Sequence, residues 1–433
     1  MKTDARGLAV STDSDAAIGA IDHFADQLLS LGPDSGAILD ATAALPDCAM
    51  VQAYGACTYV YTQSRAQAAN ARLLLERARE RLDDLTERER LFIDAVEAGC
   101  RGDFESALGG YERIARRWPR DVVAAKLAEF HFFHTGDAER QLEFMGAIAP
   151  ANRGHSHLQS MYAFALELCG QRDRAEQVAR TALERNPLTM WAQHCLGHVF
   201  AGQSRIGEGI GELERYSSGW PAFGRYIQAH NWFHLATLYL ANLDLEKAQD
   251  AFRSRIWGFL PDSAGELTDA ILLLWYLELA GADCGDKWRG IAAHARPYAF
   301  EQLFPFLNAI TLYALTRAGE EAQAQSALEA MGRFAGGQAG RGARVWHDIG
   351  MPLARGCVAF ARGEYELAAS LLGPILNDVH CAGGSDEQRG VFIQSNLIAL
   401  IRSGQRSEAS RALQEYIGSR GQTPLEQRWM AQL

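Results

Sequence analysis

Residues 161–203 read MYAFALELCGQRDRAEQVARTALERNPLTMWAQHCLGHVFAGQ, and one period of a helical repeat lies inside them. A glycine turn at Gly170-Gln171 is followed by an amphipathic run with a small residue, Ala175, near its fifth position. Pro187 closes that run, because a proline disfavours the α conformation at the residue before it. An apolar run then leads to a second small-residue turn at Gly202-Gln203. Turn, helix, proline-bearing turn, helix is the tetratricopeptide pattern. Working outward, turns at Gly102-Asp103 and Gly136-Asp137 precede these two, at intervals of 34, 34 and 32 residues. Ala107 and Pro119 repeat the small-residue and proline positions. Each hairpin has an apolar face that it cannot bury alone, so stacked neighbours must bury it.

The pattern predicts an all-α protein, an α-solenoid of tetratricopeptide-like helical hairpins. It is more regular over 85–255 and degenerate over 256–433, where turns at Gly319, Gly363 and Gly404 keep a slipping phase. Ahead of the repeats, apolar residues at helical spacing predict helices over 15–31, 35–44, 49–63 and 64–80. Residues 1–14 have too little apolar content to offset the cost of ordering and are expected to be disordered. That leaves 15–433 as a single helical-repeat superhelix. Residues 334–344 and 382–389 are expected to be irregular, and neither carries a P-loop or a dinucleotide fingerprint.

A chain of 433 residues, 48% hydrophobic and 22% charged, is globular in composition and long enough for such an array. Its 53 acidic and 42 basic residues leave a net charge of −11. So acidic a chain argues against nucleic acid as a partner, since phosphate backbones need a basic face, and gives an anionic membrane no purchase. The longest apolar run, residues 270–277, is far too short to span a bilayer. The eight cysteines form no CxxC pair, and the N-terminus lacks the apolar core of a signal peptide. Reduced thiols in the cytoplasm are the expectation.

The sharpest functional signal lies in residues 190–234. His194 and His198, then His230 and His234, are two i, i+4 pairs, and the second follows the first by 36 residues at both positions. Trp191 accompanies the first pair and Trp232 the second. In a stack of hairpins the pairs would occupy equivalent places on helices roughly 10 Å apart, lining a concave groove. Converging imidazoles can hold a divalent metal such as Zn²⁺, orient a carboxylate, or act as acid and base near neutral pH. The same residues also serve as filling between packed repeats, and HxxxH lacks the glutamate of HExxH. The sequence leaves both readings open.

Other candidates join this groove. His157 lies 37 residues before His194, one repeat earlier. Glu167, Asp269 and Glu278 are acids in otherwise apolar helical stretches, and each needs a buried partner, with a histidine or arginine the natural one. Gly383-Gly384-Ser385 with Gln388 and Arg389 reads either as an anion-binding turn or as a helix N-cap with Ser385 as the cap.

MYAFALELCG (161–170), NPLTMWAQHCLGHVF (186–200) and HNWFHLATLYL (230–240) resemble the tetratricopeptide repeat protein 38-like family. DAILLLWYLELAG (269–281), ARGEYELAASLL (361–372) and GGSDEQRGVF (383–392) support the likeness, which runs from about residue 46 to the C-terminus. The resemblance implies a helical-repeat fold with His194, His198, His230, Asn231 and His234 at motif positions. The chain departs from the family pattern at Ala201, Phe233, Asn308, Asp386 and Gly390.

Two functions follow as expectations. One is a repeat protein that binds a small molecule, peptide or partner protein in a groove with a His/Trp-lined pocket. The other is an enzyme acting on a small molecule through His194, His198, His230 and His234. The groove helices offer Trp, Phe, Tyr and His with little lysine, which favours a compact aromatic pocket.

Overall fold

The computed structural model describes residues 1–433, with the side chain of residue 419 outside the description. Among the described residues it is all-α apart from one small hairpin, and its helices pack in sequential pairs. Glu87–Cys100 pairs with Phe104–Arg117, Ser156–Leu168 with Arg172–Arg185, and Met351–Ala361 with Tyr365–Leu372. The helices expected over the first 80 residues appear as Asp15–Ser30, Ala37–Ala44, Ala49–Val60 and Arg65–Arg79.

The two helices of a pair have different jobs. Nearly every residue of Ala264–Leu279 is buried, and a helix apolar on all sides must be covered on all sides. Its counterpart type, Phe104–Arg117, buries only the stripe Ala107, Leu108, Tyr111 and Ile114 and gives its other face to water. The functional side chains named above lie mainly on helices of the first, enclosed type.

A left-handed residue follows the first helix of each pair. These are Gly102, Gly136, Gly170, Ser204, Leu243, Gly281, Gly319, Gly363 and Gly404, with φ between 54° and 92°. Their spacings are 34, 34 and 34 residues, then 39, 38, 38, 44 and 41. The second half therefore keeps the turn and lengthens the period. The sequence reading placed the fourth turn at Gly202-Gln203, two residues early, because it looked for glycine. Ser204 and Leu243 accept a conformation that costs L residues about 1–2 kcal/mol. The same closing bond holds them as holds the glycines: Arg205 N donates to Phe200 O at 2.9 Å, as Gln171 N does to Leu166 O.

Two expectations change. Residues 1–14 are ordered: Lys2–Thr3 pairs antiparallel with Ala9–Val10, and Leu8 and Val10 are buried. Ser11 donates from its backbone N and its hydroxyl to Glu89 at 2.8 and 2.6 Å, a partner 78 residues away that no local composition reveals. Residues 334–344 are largely helical, in Glu321–Gly336, Gly340–Ala343 and a π-helical Arg344–Gly350. The chain forms two compact units, Met1–Cys195 with Gly219–Ile227 and Leu196–Ser218 with Gln228–Leu433. Among the described residues no helix is long and apolar enough to cross a membrane.

Candidate functional site

In the second unit the helix Arg225–Ala241 places His230 and His234 one turn apart, as their spacing requires. Asp269, on Ala264–Leu279, accepts from His230 Nδ1 with both carboxylate oxygens at 3.0 Å. That bond takes a proton on His230 Nδ1 and turns Nε2 away from the carboxylate. His230 Nε2 lies 3.3 Å from His234 Nε2. The His198 ring is next, its centroid 4.4 Å from that of His234. Asp269, His230, His234 and His198 thus form a continuous row of ionisable groups, each no more than 5% exposed.

The row exists because two helices come close. Gly197 marks the approach of Met190–Gly202 to Arg225–Ala241, since a Cβ there would stand in ordinary contact with His234 Cβ at 3.4 Å. Burial holds His234 well below the ordinary histidine range, with His198 and His230 adding to the effect. Burial raises Asp269 and His230 opposes that rise. His234 is therefore a neutral imidazole at physiological pH, the form that ligates metals or accepts protons. Asn231, 1% exposed and three residues before His234, has neither its amide oxygen nor its amide nitrogen hydrogen-bonded among the described residues. Buried groups are seldom left so.

The other predicted residues fall elsewhere. Trp232 stands two residues from each histidine, about 200° around the helix. It meets Arg255, whose guanidinium carbon is 5.3 Å from the ring centroid. Arg389 gives its guanidinium to the Gly384 carbonyl and the Asp386 carboxylate. Ser385 caps Asp386–Arg402 in a reciprocal box with Gln388, which is the N-cap reading of that block. Glu278 accepts from Trp288, Tyr313 and Arg317.

In the first unit Trp191 is committed. His194 stacks on it with centroids 4.2 Å apart, Lys126 Nζ lies 4.2 Å from its ring centroid, and its Nε1 donates to Glu129 at 2.9 Å. Glu167, 1% exposed, has Arg172 Nε at 3.8 Å. His157 is pushed down to about 4 by burial, then by His155 and Lys126. The helix Met190–Gly202 carries Trp191, His194 and His198 at i, i+3 and i+7, on one stripe.

Lys126 and Glu129 were absent from the sequence prediction. They lie in VVAAKLAEF (122–130), charged residues in an apolar helix, which is the signal that picked out Glu167 and Asp269. No family model matches the chain.

Proposed function

We propose that this chain is a tetratricopeptide-type helical-repeat protein, a superhelix of the tetratricopeptide repeat protein 38-like kind, that takes a small ligand at a histidine-held divalent metal. His230 and His234 are the ligands of this reading, and His194 and His198, both on the helix Met190–Gly202, are the further candidates. The metal is of the borderline class that imidazole suits, such as Zn²⁺.

The observation that carries the reading is the Asp269–His230–His234 row. A carboxylate holding one nitrogen of a histidine, with the other nitrogen presented inward, is the usual outer-shell arrangement of a metal-bound imidazole. Two nitrogens each about 2.0–2.1 Å from a tetrahedral ion lie about 3.3–3.4 Å apart. The 3.3 Å between His230 Nε2 and His234 Nε2 matches that edge and is at the long end for a hydrogen bond. A metal here would lower the pKa of a bound water or polarise a substrate oxygen, and Asn231 has an amide to offer a ligand. Enclosure of these side chains suits a small molecule better than an extended peptide, so the partner-scaffold reading is the weaker one. We place the protein in the cytoplasm, with neither nucleic acid nor membrane as a partner.

Metal content of the purified chain, followed by Zn²⁺ titration against a chromophoric chelator, tests the reading. Stoichiometric uptake in the wild type that is lost in His230→Ala and His234→Ala is expected. A wild type that takes up no divalent ion sinks it.

A further inference from the structure

We propose that a cavity in the second unit, walled by Gln394, Tyr416, Arg420, Glu387 and Glu426, binds the ammonium group of a small primary amine. A chain of hydrogen bonds ties its polar wall together. Arg420 Nη2 donates to Glu387 at 2.6 Å and Nη1 to the Tyr416 hydroxyl at 2.9 Å, and Gln394 Nε2 donates to that same hydroxyl at 3.0 Å. Arg420 and Glu387 cancel in charge, so Glu426 leaves the wall net negative. Glu426 is 6% exposed, and among the described residues no cation pairs with it. One of its oxygens takes the Thr423 backbone N–H, at 2.7 Å, and the Thr423 hydroxyl, in the box that caps Pro424–Met430. The cap gives that oxygen hydrogen bonds and brings no charge. Gln394 is 8% exposed, and its amide oxygen is buried with no hydrogen bond among the described residues.

A buried carboxylate without a cation and a buried amide oxygen without a donor are both costly, and both are rare. One occupant answers the two together: a positive group with several N–H donors. A primary ammonium carries three, and its bonds to a carboxylate are of the strong, charge-assisted kind. Arg420, the cation at hand, is already held by Glu387 and Tyr416. Size narrows the class further. The cavity measures about 50 Å³, and at about 10–15 Å³ for one water it takes about three to five heavy atoms, the size of ethyl- or propylammonium. Ile206, Leu240 and Leu425 complete the lining and give a short alkyl chain its apolar wall.

The site uses none of the histidines and stands or falls apart from the metal reading. Isothermal titration of the full chain with ethylammonium tests it, against tetramethylammonium, which has no N–H donor, and acetate, all at one ionic strength. Saturable heat with ethylammonium alone is expected. Glu426→Gln keeps the capping box, because glutamine serves at that position, and removes the charge, so it should fold and lose the binding. Gln394→Met removes the unbonded oxygen and should bind about tenfold more weakly. His230→Ala should bind as the wild type does, which separates this site from the metal. The proposal is overturned if ethylammonium gives the wild type no more heat than tetramethylammonium, if acetate binds in its place, or if either Glu426→Gln or Gln394→Met binds as the wild type does.

Discussion

Asp269, buried, and Glu278, partly buried, are two carboxylates on one helix, Ala264–Leu279, and they have opposite fates. Glu278 accepts four hydrogen bonds: Trp288 Nε1 at 2.9 Å, Tyr313 OH at 3.0 Å, and Arg317 Nε and Nη2 at 3.1 and 2.6 Å. Every lone-pair direction is used, by donors whose only task is packing. Asp269 instead has both oxygens on His230, which turns the second nitrogen of that ring toward His234. An acid saturated by fixed donors is a structural clamp. An acid satisfied by a histidine passes its influence on, because that partner has a second nitrogen and a titratable proton.

The comparison can be broken at either end. The largest expected effect is on stability at the clamp. Glu278→Ala leaves Arg317, Trp288 and Tyr313 without their acceptor and should cost about 3 kcal/mol in urea denaturation. That is the low end for a broken ion pair because the Arg317 side chain is 33% exposed. The variant should still bind metal, and a loss below about 1 kcal/mol would show that the clamp is dispensable.

At the other end, Asp269→Asn should affect binding more than folding. The amide cannot take the His230 proton as a carboxylate does, so affinity for Zn²⁺ should fall by about 10–100-fold in chelator competition. Unchanged affinity would reduce Asp269 to packing. Stability should drop by about 1 kcal/mol, the scale of one buried hydrogen bond.

The smallest effect is a pH dependence that belongs to one end only. His234 is depressed in the folded state, so below its unfolded pKa of 6.5 the unfolded chain binds the proton and the folded chain does not. Its share of stability is complete above pH 6.5 and is lost as pH falls. Between pH 6.5 and 5.5 that share is about 1 kcal/mol. His131, His134 and His157, pushed to about 3, 4 and 4, slope the same way. His234→Gln should therefore flatten the wild-type slope by about one histidine's worth, measured as the midpoint of urea unfolding. An unaltered slope would mean that His234 charges in place.

Much of this was readable in the chain, and some misreadings were avoidable. The hairpins follow from helical spacing, and the acids in apolar runs correctly marked Asp269, Glu278 and Glu167 as needing partners. The same criterion applied to residues 122–130 would have found Lys126 and Glu129. Helical arithmetic alone places Trp232 away from the faces of His230 and His234, two residues on either side. Order at residues 1–14 was beyond such reading, because Glu89 supplies it from far along the chain.

Sequence by itself determined the order of helices, the recurring turn and the fact that Asp269 and Glu278 had to be paired. Only the tertiary structure decided with whom. Both acids find their partners 39 residues away, His230 upstream of Asp269 and Arg317 downstream of Glu278. Nine residues, or two and a half helical turns, separate the two acids, so they leave opposite sides of the helix. One therefore faces the helix of the preceding hairpin and the other the helix of the following one. Which residue waits on each side is a property of packing between hairpins, and it made one carboxylate a clamp and the other the back of a histidine row.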